Sequence, residues 1–227
     1  MEENWLNDEY VRYYNSSYQT PREEFAAYLK LLEIGPEDVI LDLGCGNGDF
    51  LEIAAPAVKR AAGVDISPLQ VSLANERLKQ FPHAAAVCSD FVGCDAALRQ
   101  QSDLPPVTAV FSRKALHHLT DAEKHEMLQS LAPLIAPGAR LYIEDGIFFN
   151  FEREHIRENL DNLLEECARY YGEAWEQKRG DLLNSFLNEH PTGAGFWTRE
   201  LEAIGFKVTE LRPRSSFYGG ILAKKAD

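Results

Sequence analysis

Residues 39–50 read VILDLGCGNGDF, an apolar run that leads directly into a glycine-rich turn. The run over 39–43 predicts a buried strand, and the residues after the turn predict a helix. Glycines let a backbone bend tightly and approach a ligand closely, because they carry no Cβ. Their spacing is GxGxG, which differs from the GxGxxG of dinucleotide-binding proteins. A strand, turn and helix in this order indicate a ligand-binding loop, with a plain structural turn as the alternative.

Acidic residues accompany this turn at two places. Asp42 stands two residues before the first glycine, Gly44. A carboxylate there would repel a pyrophosphate, whereas it suits a ligand that carries an ammonium and a sulfonium. Asp65 ends a second apolar run, 21 residues after Gly44. An acid at that position of a doubly wound sheet accepts hydrogen bonds from ribose hydroxyls, and a solvated strand-end acid is the alternative.

Short apolar runs alternate with helical segments along most of the chain. Such runs predict further strands at 61–65, 84–88, 107–111 and 140–144. This rhythm predicts a parallel sheet with helices on both faces. The last two runs, 206–211 and 217–223, are joined by a link too short for a parallel crossover, which predicts an antiparallel hairpin. The predicted fold class is therefore α/β, a doubly wound, mostly parallel seven-stranded sheet with an antiparallel C-terminal hairpin strand.

Two regions lie outside the alternating pattern. The segment 1–35 predicts N-terminal helices, one of them opened by a capping box at Thr20 and Glu23 and continuing to about Glu33. The segment 148–195 lacks a clear strand and has an apolar face at helical spacing, which predicts a helical insertion over the carboxyl ends of the strands. A second capping box, Thr120 and Glu123, predicts a helix that runs to Pro137-Gly138.

Charge and composition exclude several classes of protein. The chain has 36 acidic and 23 basic residues, a formal charge of -13, and no Lys/Arg-rich run, which disfavours a nucleic-acid partner. No run approaches the roughly 20 apolar residues that a membrane span requires. The four cysteines lack CxxC spacing, which indicates free thiols in a reducing compartment, the cytoplasm, rather than a disulfide framework or a zinc site.

Several segments together are similar to one known family. They are VILDLGCGNGDF, AAGVDIS, VCSDF, VFSRKALHHL, LIAPGARLYIEDG and a closing hairpin that ends in GGILAKK. In this order and spacing they resemble the class I (Rossmann-like) methyltransferases that depend on S-adenosylmethionine (SAM), of the small-molecule type. The resemblance covers roughly residues 36–146 and 196–224. It implies SAM as methyl donor and S-adenosylhomocysteine (SAH) as product, and it does not specify the acceptor.

The resemblance also implies an organisation and a donor site. Residues 36–147 and 196–227 would form the SAM-binding domain, 1–35 a lid, and 148–195 a cover over the acceptor. The implied donor-binding residues are Asp42, Gly44, Cys45, Gly46, Gly48, Asp65, Ile66, Asp90, Phe91 and Ser112. Asp42 would lie near the amino group of SAM, Asp65 would hold the ribose, and Ser112 would face the methionine part. For Asp90 and Phe91, which would flank the adenine, a loop acid beside a core ring is the alternative.

Methyl transfer from a sulfonium is an in-line displacement, so a protein must mainly align donor and acceptor. A base is needed only where the acceptor is protonated, and the candidate catalytic residues are His117, His118 and Glu144. Helix packing is the alternative for the histidines, and capping or solvation for Glu144. The metal-binding Asp of catechol-type members and the [DNS]PP[YF] motif of adenine-N6 DNA methyltransferases are both missing after the fourth strand. The other histidines are scattered, so the sequence assigns no metal.

Candidate acceptor-binding residues come from four parts of the chain. They are Tyr14, Arg113, Lys114 and Trp197. Tyr14 belongs to an aromatic segment that would close over the cofactor, and Arg113 with Lys114 would bind an acidic acceptor. Trp197 would line an apolar cavity under the insertion. Helix packing, surface ion pairing and core packing are the respective alternatives.

The resulting hypothesis is a methyltransferase acting on an oxygen or nitrogen of a small molecule, as a monomer or homodimer. One alternative is an RNA or protein methyltransferase that works with a partner, favoured if Arg113, Lys114, Arg212 and Arg214 form one basic patch. Another is a SAM-binding regulator without catalysis. A nicotinamide-dependent dehydrogenase is disfavoured by the glycine spacing and by Asp42.

Overall fold

The structure is a computed structural model that describes residues 4–101 and 104–227. Its strands are β1 (Val39–Leu43), β2 (Arg60–Asp65), β3 (Ala84–Cys88), β4 (Val107–Arg113), β5 (Ile135–Phe148), β6 (Thr192–Gly193), β7 (Phe206–Pro213) and β8 (Tyr218–Lys225). Its α-helices are α1 (Asp8–Ser17), α2 (Arg22–Leu31), α3 (Asp49–Ala54), α4 (Pro68–Leu78), α5 (Cys94–Gln101), α6 (Asp121–Leu131), α7 (Ile156–Tyr171), α8 (Trp175–Asn188) and α9 (Ala194–Ala203). Within these ranges, every helix is too short or too polar to cross a lipid bilayer.

The sheet has the strand order β3-β2-β1-β4-β5-β8-β7. Strands β3 to β5 run parallel, and β8 pairs antiparallel with both β5 and β7. The predicted fold class is therefore confirmed, including the reversed strand of the C-terminal hairpin. The two-residue β6, which pairs with Ile147 and Phe148 of β5, was not predicted. Two residues are too few to show an alternating pattern.

Burial on both faces explains the apolar run that opens the domain. All five residues of β1 are buried, as expected for a central strand of a parallel sheet. Leu41 and Leu43 belong to the core on one face, and Ile40 belongs to the core on the other face. Asp42 is the one residue of this buried strand with a charged side chain.

Two of the predicted helix boundaries are wrong. Thr20 does not cap α2, whose N-cap is Pro21 without a side-chain hydrogen bond. Instead, the Thr20 hydroxyl accepts a hydrogen bond from Arg113 at 2.8 Å. Helix α6 begins at the predicted Thr120–Glu123 capping box but ends at Leu131. The reason is Pro133, which lacks an N–H and lies in a short 3-10 turn that leads into β5.

The insertion consists mainly of α7 and α8, as the sequence predicted. A small core of its own holds it against the end of β5 and the C-terminal hairpin, with Phe148, Cys167 and Phe217 among its buried residues. Helix α8 also reaches the N-terminal segment, because the Lys178 ammonium lies 4.4 Å from the ring centroid of Tyr18. The insertion and the N-terminal helices therefore meet on the same side of the molecule.

Candidate active site

A cavity of about 380 Å³ opens where the strand order reverses, between β1 and β4. Ligands of open α/β sheets bind at this switch point, outside the carboxyl ends of the strands. The walls come from the N-terminal segment, the glycine-rich turn, the start of α4 and the end of β4. Of the predicted donor-binding residues, Asp42, Gly44, Cys45 and Gly46 line this cavity, together with the predicted acceptor-binding residues Tyr14 and Arg113.

The glycine-rich turn has a backbone that ordinary residues rarely adopt. Gly44 and Gly46 have φ angles of +78° and +52°. A Cβ on Gly44 would lie 2.2 Å from the Cβ of Ala115, so a side chain there would force the turn away from β4. Around Gly46 the space is open, and the nearest atom to a Cβ there would be 3.8 Å away, on Gln70. Gly44 therefore fits the turn against the fold, and Gly46 leaves room for a ligand to approach the backbone.

Asp42 presents a carboxylate to this cavity without a partner of its own. Its side chain is only 2% exposed, and no hydrogen bond or ion pair from the described residues reaches it. Burial, together with repulsion from Asp65, raises its pKa well above the usual value. A buried acid without a donor is costly, so its place in a central strand indicates a cationic ligand.

Asp65 fixes the glycine-rich turn through hydrogen bonds to its side chain. One of its oxygens accepts a hydrogen bond from the backbone N–H of Gly46, and the other accepts one from the N–H of Ser67, both at 2.9 Å. Burial raises its pKa, and these two hydrogen bonds partly offset the rise. Asp65 thus connects the glycine-rich turn after β1 to the start of α4. Each of its oxygens retains a lone pair that can accept a ribose hydroxyl.

Asp65 and the remaining predicted donor-binding residues lie outside the cavity walls. Ile66 is 40% exposed beside the start of α4, and exposed Asp90 accepts a hydrogen bond from the N–H of Val92. Phe91 is buried in the core against the glycine-rich turn. Ser112 is fully buried, and its hydroxyl donates to the carbonyl of Leu43 at 2.8 Å, which joins β4 to β1.

Gly48, also outside those walls, is the N-cap of α3 and has a φ of +81°. A Cβ there would lie 3.0 Å from Ala74 of α4, so the glycine allows α3 and α4 to approach each other closely. Its role in the structure is helix packing beside the turn.

Two polar residues that were not predicted as site residues pair across the cavity. Asn15 of α1 and Gln70 of α4 exchange two amide hydrogen bonds, of 2.9 and 3.0 Å. Both line the cavity. The ring of Tyr14 on α1 stacks on that of Tyr18, the residue directly after this helix, with centroids 5.0 Å apart. Helix α1 therefore forms a roof over the cavity, and only the fold brings Asn15 to Gln70, 55 positions away in sequence.

Glu144, a predicted catalytic residue, is saturated by hydrogen bonds. Its fully buried carboxylate accepts from the hydroxyls of three tyrosines and from two guanidinium groups, at 2.7 to 3.2 Å. The donors are Tyr28, Tyr142, Tyr218, Arg113 and Arg214. Burial alone would raise its pKa, but these donors outweigh it and lower the pKa. The geometry favours a structural anchor over a proton acceptor.

Arg113 and Lys114, two predicted acceptor-binding residues, differ in their surroundings. Arg113 bonds Glu144 and Thr20 and forms an ion pair with Glu24 at 3.4 Å, so its guanidinium is fixed inside the protein. Lys114 is exposed and has a left-handed backbone with φ of +52°. Its ammonium lies 5.7 Å from the ring centroid of Tyr218. Arg113 and Lys114 therefore do not form a patch of unpaired positive charge.

The two predicted catalytic histidines lie in the short turn after β4. His117 Nδ1 lies 2.5 Å from Oδ1 of Asp145, and Oδ2 of Asp145 accepts hydrogen bonds from the N–H groups of Leu116 and His117. Burial would raise the pKa of Asp145, but His117 and the hydrogen bond from the N–H of Gly146 lower it. The pKa of His118 is lowered to about 4, first by burial and then by His117. His118 is therefore neutral at pH 7.

Two further residues, Glu189 and Trp5, lie beside the histidines. Glu189 of the insertion lies with its Oε2 3.6 Å from Nε2 of His117, a contact that sequence spacing did not reveal. The ring of Trp5 lies 5.8 Å from His118 and 4.8 Å from Tyr14, between centroids. Because Tyr14 lines the cavity, Trp5 lies between the histidines and the cavity wall.

Trp197, predicted to line an acceptor cavity, lies elsewhere. It is 1% exposed and belongs to the main core. The cause is the packing of α9, which is held against β7 and α6 and turns its apolar face inward. Trp197 is thus a core residue, which was the alternative interpretation of its apolar surroundings.

Comparison with known proteins identifies the domain. The family described as "Methyltransferase domain" matches residues 41–141. An uncharacterized methyltransferase of Geobacillus kaustophilus is 28% identical over 205 residues, which are 86% of this chain and 88% of the relative. Nodulation protein S of Sinorhizobium fredii is 25% identical over 174 residues, 73% of this chain and 77% of that protein.

Solved structures share the fold. Magnesium protoporphyrin IX methyltransferase (ChlM) of Synechocystis PCC 6803 with bound SAH superimposes with a TM-score of 0.61, at 16% identity, over 96% of this chain and 94% of that one. The N-methyltransferase NodS of Bradyrhizobium japonicum with SAH gives 0.60, at 19% identity, over 98% and 95%. The predicted resemblance is thereby confirmed: residues 41–141 match a methyltransferase domain, and the chain has the fold of the class I, SAM-dependent methyltransferases.

Proposed function

We propose that this enzyme transfers a methyl group from SAM to an oxygen or nitrogen of a small-molecule acceptor. The observation that carries the proposal is Asp42, a buried carboxylate without a partner in the wall of the cavity. SAM has both an ammonium and a sulfonium, so its binding would supply the missing positive charge. A pyrophosphate-bearing cofactor would instead bring negative charge to a carboxylate.

The residues around the cavity fit SAM. Asp42 would attract the ammonium, and the open space at Gly46 would admit the donor close to the backbone. Asp65, fixed by two backbone N–H groups, would accept the ribose hydroxyls. When bound, SAM supplies a methyl group activated by the positive charge on sulfur. The roof formed by Asn15 and Gln70 would exclude water from that side of the site.

His117 and Asp145 would act at the acceptor side. The ionised carboxylate of Asp145 accepts a hydrogen bond from Nδ1 of His117, which places the second nitrogen, Nε2, on the side of Glu189. A lone pair on Nε2 can take a proton from an acceptor or bind a cation. Removal of that proton makes an acceptor oxygen or nitrogen more nucleophilic, so His117 is the residue we assign to the acceptor step.

Charge pairing supports a small acceptor over RNA. The four basic residues that would form an RNA-binding patch are Arg113, Lys114, Arg212 and Arg214. Arg113 and Arg214 bond the buried Glu144, and Arg212 forms an ion pair with Glu210 at 2.8 Å. Phosphate binding would have to break these contacts. The similar structures also have small-molecule substrates in their names, such as magnesium protoporphyrin IX.

The cytoplasm and a monomeric or homodimeric state belong to the same proposal. The four cysteines, at positions 45, 88, 94 and 167, are unpaired, which supports a reducing compartment. The chain's acidic surface supports function without a nucleic-acid partner. Size-exclusion chromatography with light scattering would determine the oligomeric state.

The test is methyl transfer from labelled SAM to a panel of small amines, phenols and carboxylic acids, with bulk tRNA and protein as competing acceptors. We expect label on one small-molecule class, and a loss of kcat of about 10²–10⁴ in His117→Ala with unchanged SAM affinity. His125→Ala is the matched control, because His125 lies at the surface beside Glu200. Label on tRNA or protein alone would contradict the proposal, and SAM binding without any transfer would favour a regulator.

A further inference from the structure

The fold brings together two histidines and a glutamate from distant parts of the chain. His117 and His118 follow β4, and Glu189 follows α8. One ligand atom of each lies within 4.8 Å of the others, and His117 Nε2 lies 3.6 Å from Glu189 Oε2. Two imidazoles and one carboxylate form the ligand set of many catalytic zinc sites and of non-haem iron sites.

The loop that carries Glu189 is firmly attached to the histidine turn. The N–H of His190 donates to the carbonyl of His117 at 2.7 Å. The ammonium of Lys124, fully buried, donates to the carbonyl of His190 at 2.6 Å, and the guanidinium of Arg153 donates to that of Pro191 at 2.9 Å. These hydrogen bonds fix the backbone on the C-terminal side of Glu189, and this backbone places Glu189 beside the histidines.

A carboxylate also orients the ring of His117, on the side away from Glu189. Asp145 binds Nδ1 of His117, and the N–H groups of Leu116 and His117 fix Asp145 in turn. Histidines that bind metals commonly donate their other ring N–H to a carboxylate, which sets the tautomer and the ring orientation. Nε2 of His117 is then directed towards Glu189, as a ligand would be.

We propose that His117, His118 and Glu189 bind one divalent transition-metal ion of the zinc or iron class, with Asp145 as the positioning residue. Metal–nitrogen distances of about 2.0–2.1 Å place tetrahedral ligand atoms about 3.4 Å apart. The pair at 3.6 Å already meets this requirement, and the outer limit of 4.8 Å calls for side-chain shifts of about 1 Å.

A metal ion in this site could take part in methyl transfer; this role rests on the proposed function. Three protein ligands leave a coordination position open for an acceptor oxygen, and a bound hydroxyl loses its proton to solvent more readily. The indole N–H of Trp5, packed against His118, is buried without an acceptor among the described residues. Such a donor can bind the same oxygen. A metal ion in this site would therefore favour an acceptor that coordinates it through oxygen.

The binding test uses the full chain without a histidine tag, after chelator treatment. Titration with Zn²⁺ by calorimetry and with Co²⁺ by visible absorption should show one ion per chain. We expect Asp145→Asn to weaken binding about 10–100-fold. His117→Ala and Glu189→Gln each remove a ligand and should weaken it more. His125→Ala and Cys88→Ser should bind as the wild type does, because both residues lie at the surface away from the cluster.

SAM binding, measured on the same preparations, separates the two proposals. A folded protein that binds SAM but shows no stoichiometric Zn²⁺ or Co²⁺ binding overturns the metal site and leaves the function intact. Metal affinity that is unchanged in both His117→Ala and Glu189→Gln overturns it as well. If Asp145→Asn fails to fold, Glu189→Gln carries the test, because Glu189 lies in a loop at the edge of the site.

Discussion

Two buried carboxylates of this protein, on strands separated only by β4, have opposite environments. Asp42 on β1 has no donor among the described residues, and burial raises its pKa. Glu144 on β5 accepts from five side chains, which together lower its pKa despite burial. Both are almost fully inaccessible, so burial alone does not distinguish function from structure. The two differ in their internal partners: the fold supplies five donors to Glu144, whereas the partner that we propose for Asp42 is the ammonium of SAM.

The largest expected effect is on stability, at Glu144. Glu144→Gln removes the charge from a network with Arg113 and Arg214 and should lower the free energy of unfolding by about 3–5 kcal/mol. The folded-state pKa is lowered, so this stabilisation is present above the unfolded-state value near 4.5 and is lost as the pH falls below it. Urea denaturation at pH 7 and pH 4 measures both effects.

The matched control for that variant is Glu210→Gln, since Glu210 forms an exposed ion pair with Arg212. Its loss should change stability by less than about 1 kcal/mol. Equal losses in the two variants would break the comparison between Glu144 and Asp42, because the network around Glu144 would then contribute nothing special.

At Asp42 the expected effect falls on ligand affinity. Asp42→Asn keeps the shape of the side chain and should weaken SAM binding by about 2–5 kcal/mol, because a buried charge pair is lost. In the ligand-free enzyme the raised pKa means that stability falls as the pH rises above about 4, and the variant should lack this fall. Calorimetry and thermal unfolding from pH 5 to pH 8 measure the two effects.

Asp49→Asn is the control for Asp42, because Asp49 also lines the cavity but is paired with Arg77 at 2.9 Å. We expect a smaller loss of affinity there. If SAM affinity falls equally in both variants, overall negative potential rather than the unpaired carboxylate attracts the donor.

Asp65 is intermediate between the two acids, since backbone donors satisfy it only in part. Asp65→Asn should weaken SAM binding by about 1.5–3 kcal/mol, the usual contribution of hydrogen bonds to a charged group. Its hydrogen bond to Gly46 also holds the turn, so stability should fall slightly. Calorimetric titration with SAM and with adenosine alone measures the effect; unchanged affinity for both would contradict the ribose assignment.

The smallest expected effect concerns the roof. Asn15→Ala removes two neutral amide hydrogen bonds to Gln70 and should reduce SAM affinity by about 1 kcal/mol. Asn188→Ala, at the exposed end of α8, is the control and should leave affinity unchanged. A loss equal to that of Asp42→Asn would show that the roof, rather than the carboxylate, dominates donor binding. Stopped-flow measurement of SAM association would show whether the roof opens.

Local patterns were enough to predict the sheet. The alternating runs and the short final link predicted the strand directions, because these depend on burial and on the length of connections. The glycine-rich turn and the acid in the apolar strand, Asp42, could also be located from the sequence, because both depend on residue types that are adjacent along the chain. The Thr20 cap failed because a distant side chain, Arg113, occupies its hydroxyl.

Contacts between distant segments could not be predicted. Glu189 reaches His117 only through the packing of the insertion, and Gln70 meets Asn15 only after α1 lies over α4. The saturation of Glu144 depends on donors from four elements of the fold. Sequence spacing gives residue types, whereas the protonation and partners of a buried group depend on what the tertiary structure places beside it.

One measurement tests the central claim most directly: calorimetric titration of the wild-type enzyme with SAM, SAH and NAD at pH 6 and pH 8. We expect saturable binding of SAM and SAH and none of NAD. The ammonium of a bound donor should lower the raised pKa of Asp42, so binding should release protons wherever Asp42 is protonated in the free enzyme. Binding of NAD, or no saturable binding of SAM and SAH to the folded protein, would contradict the account.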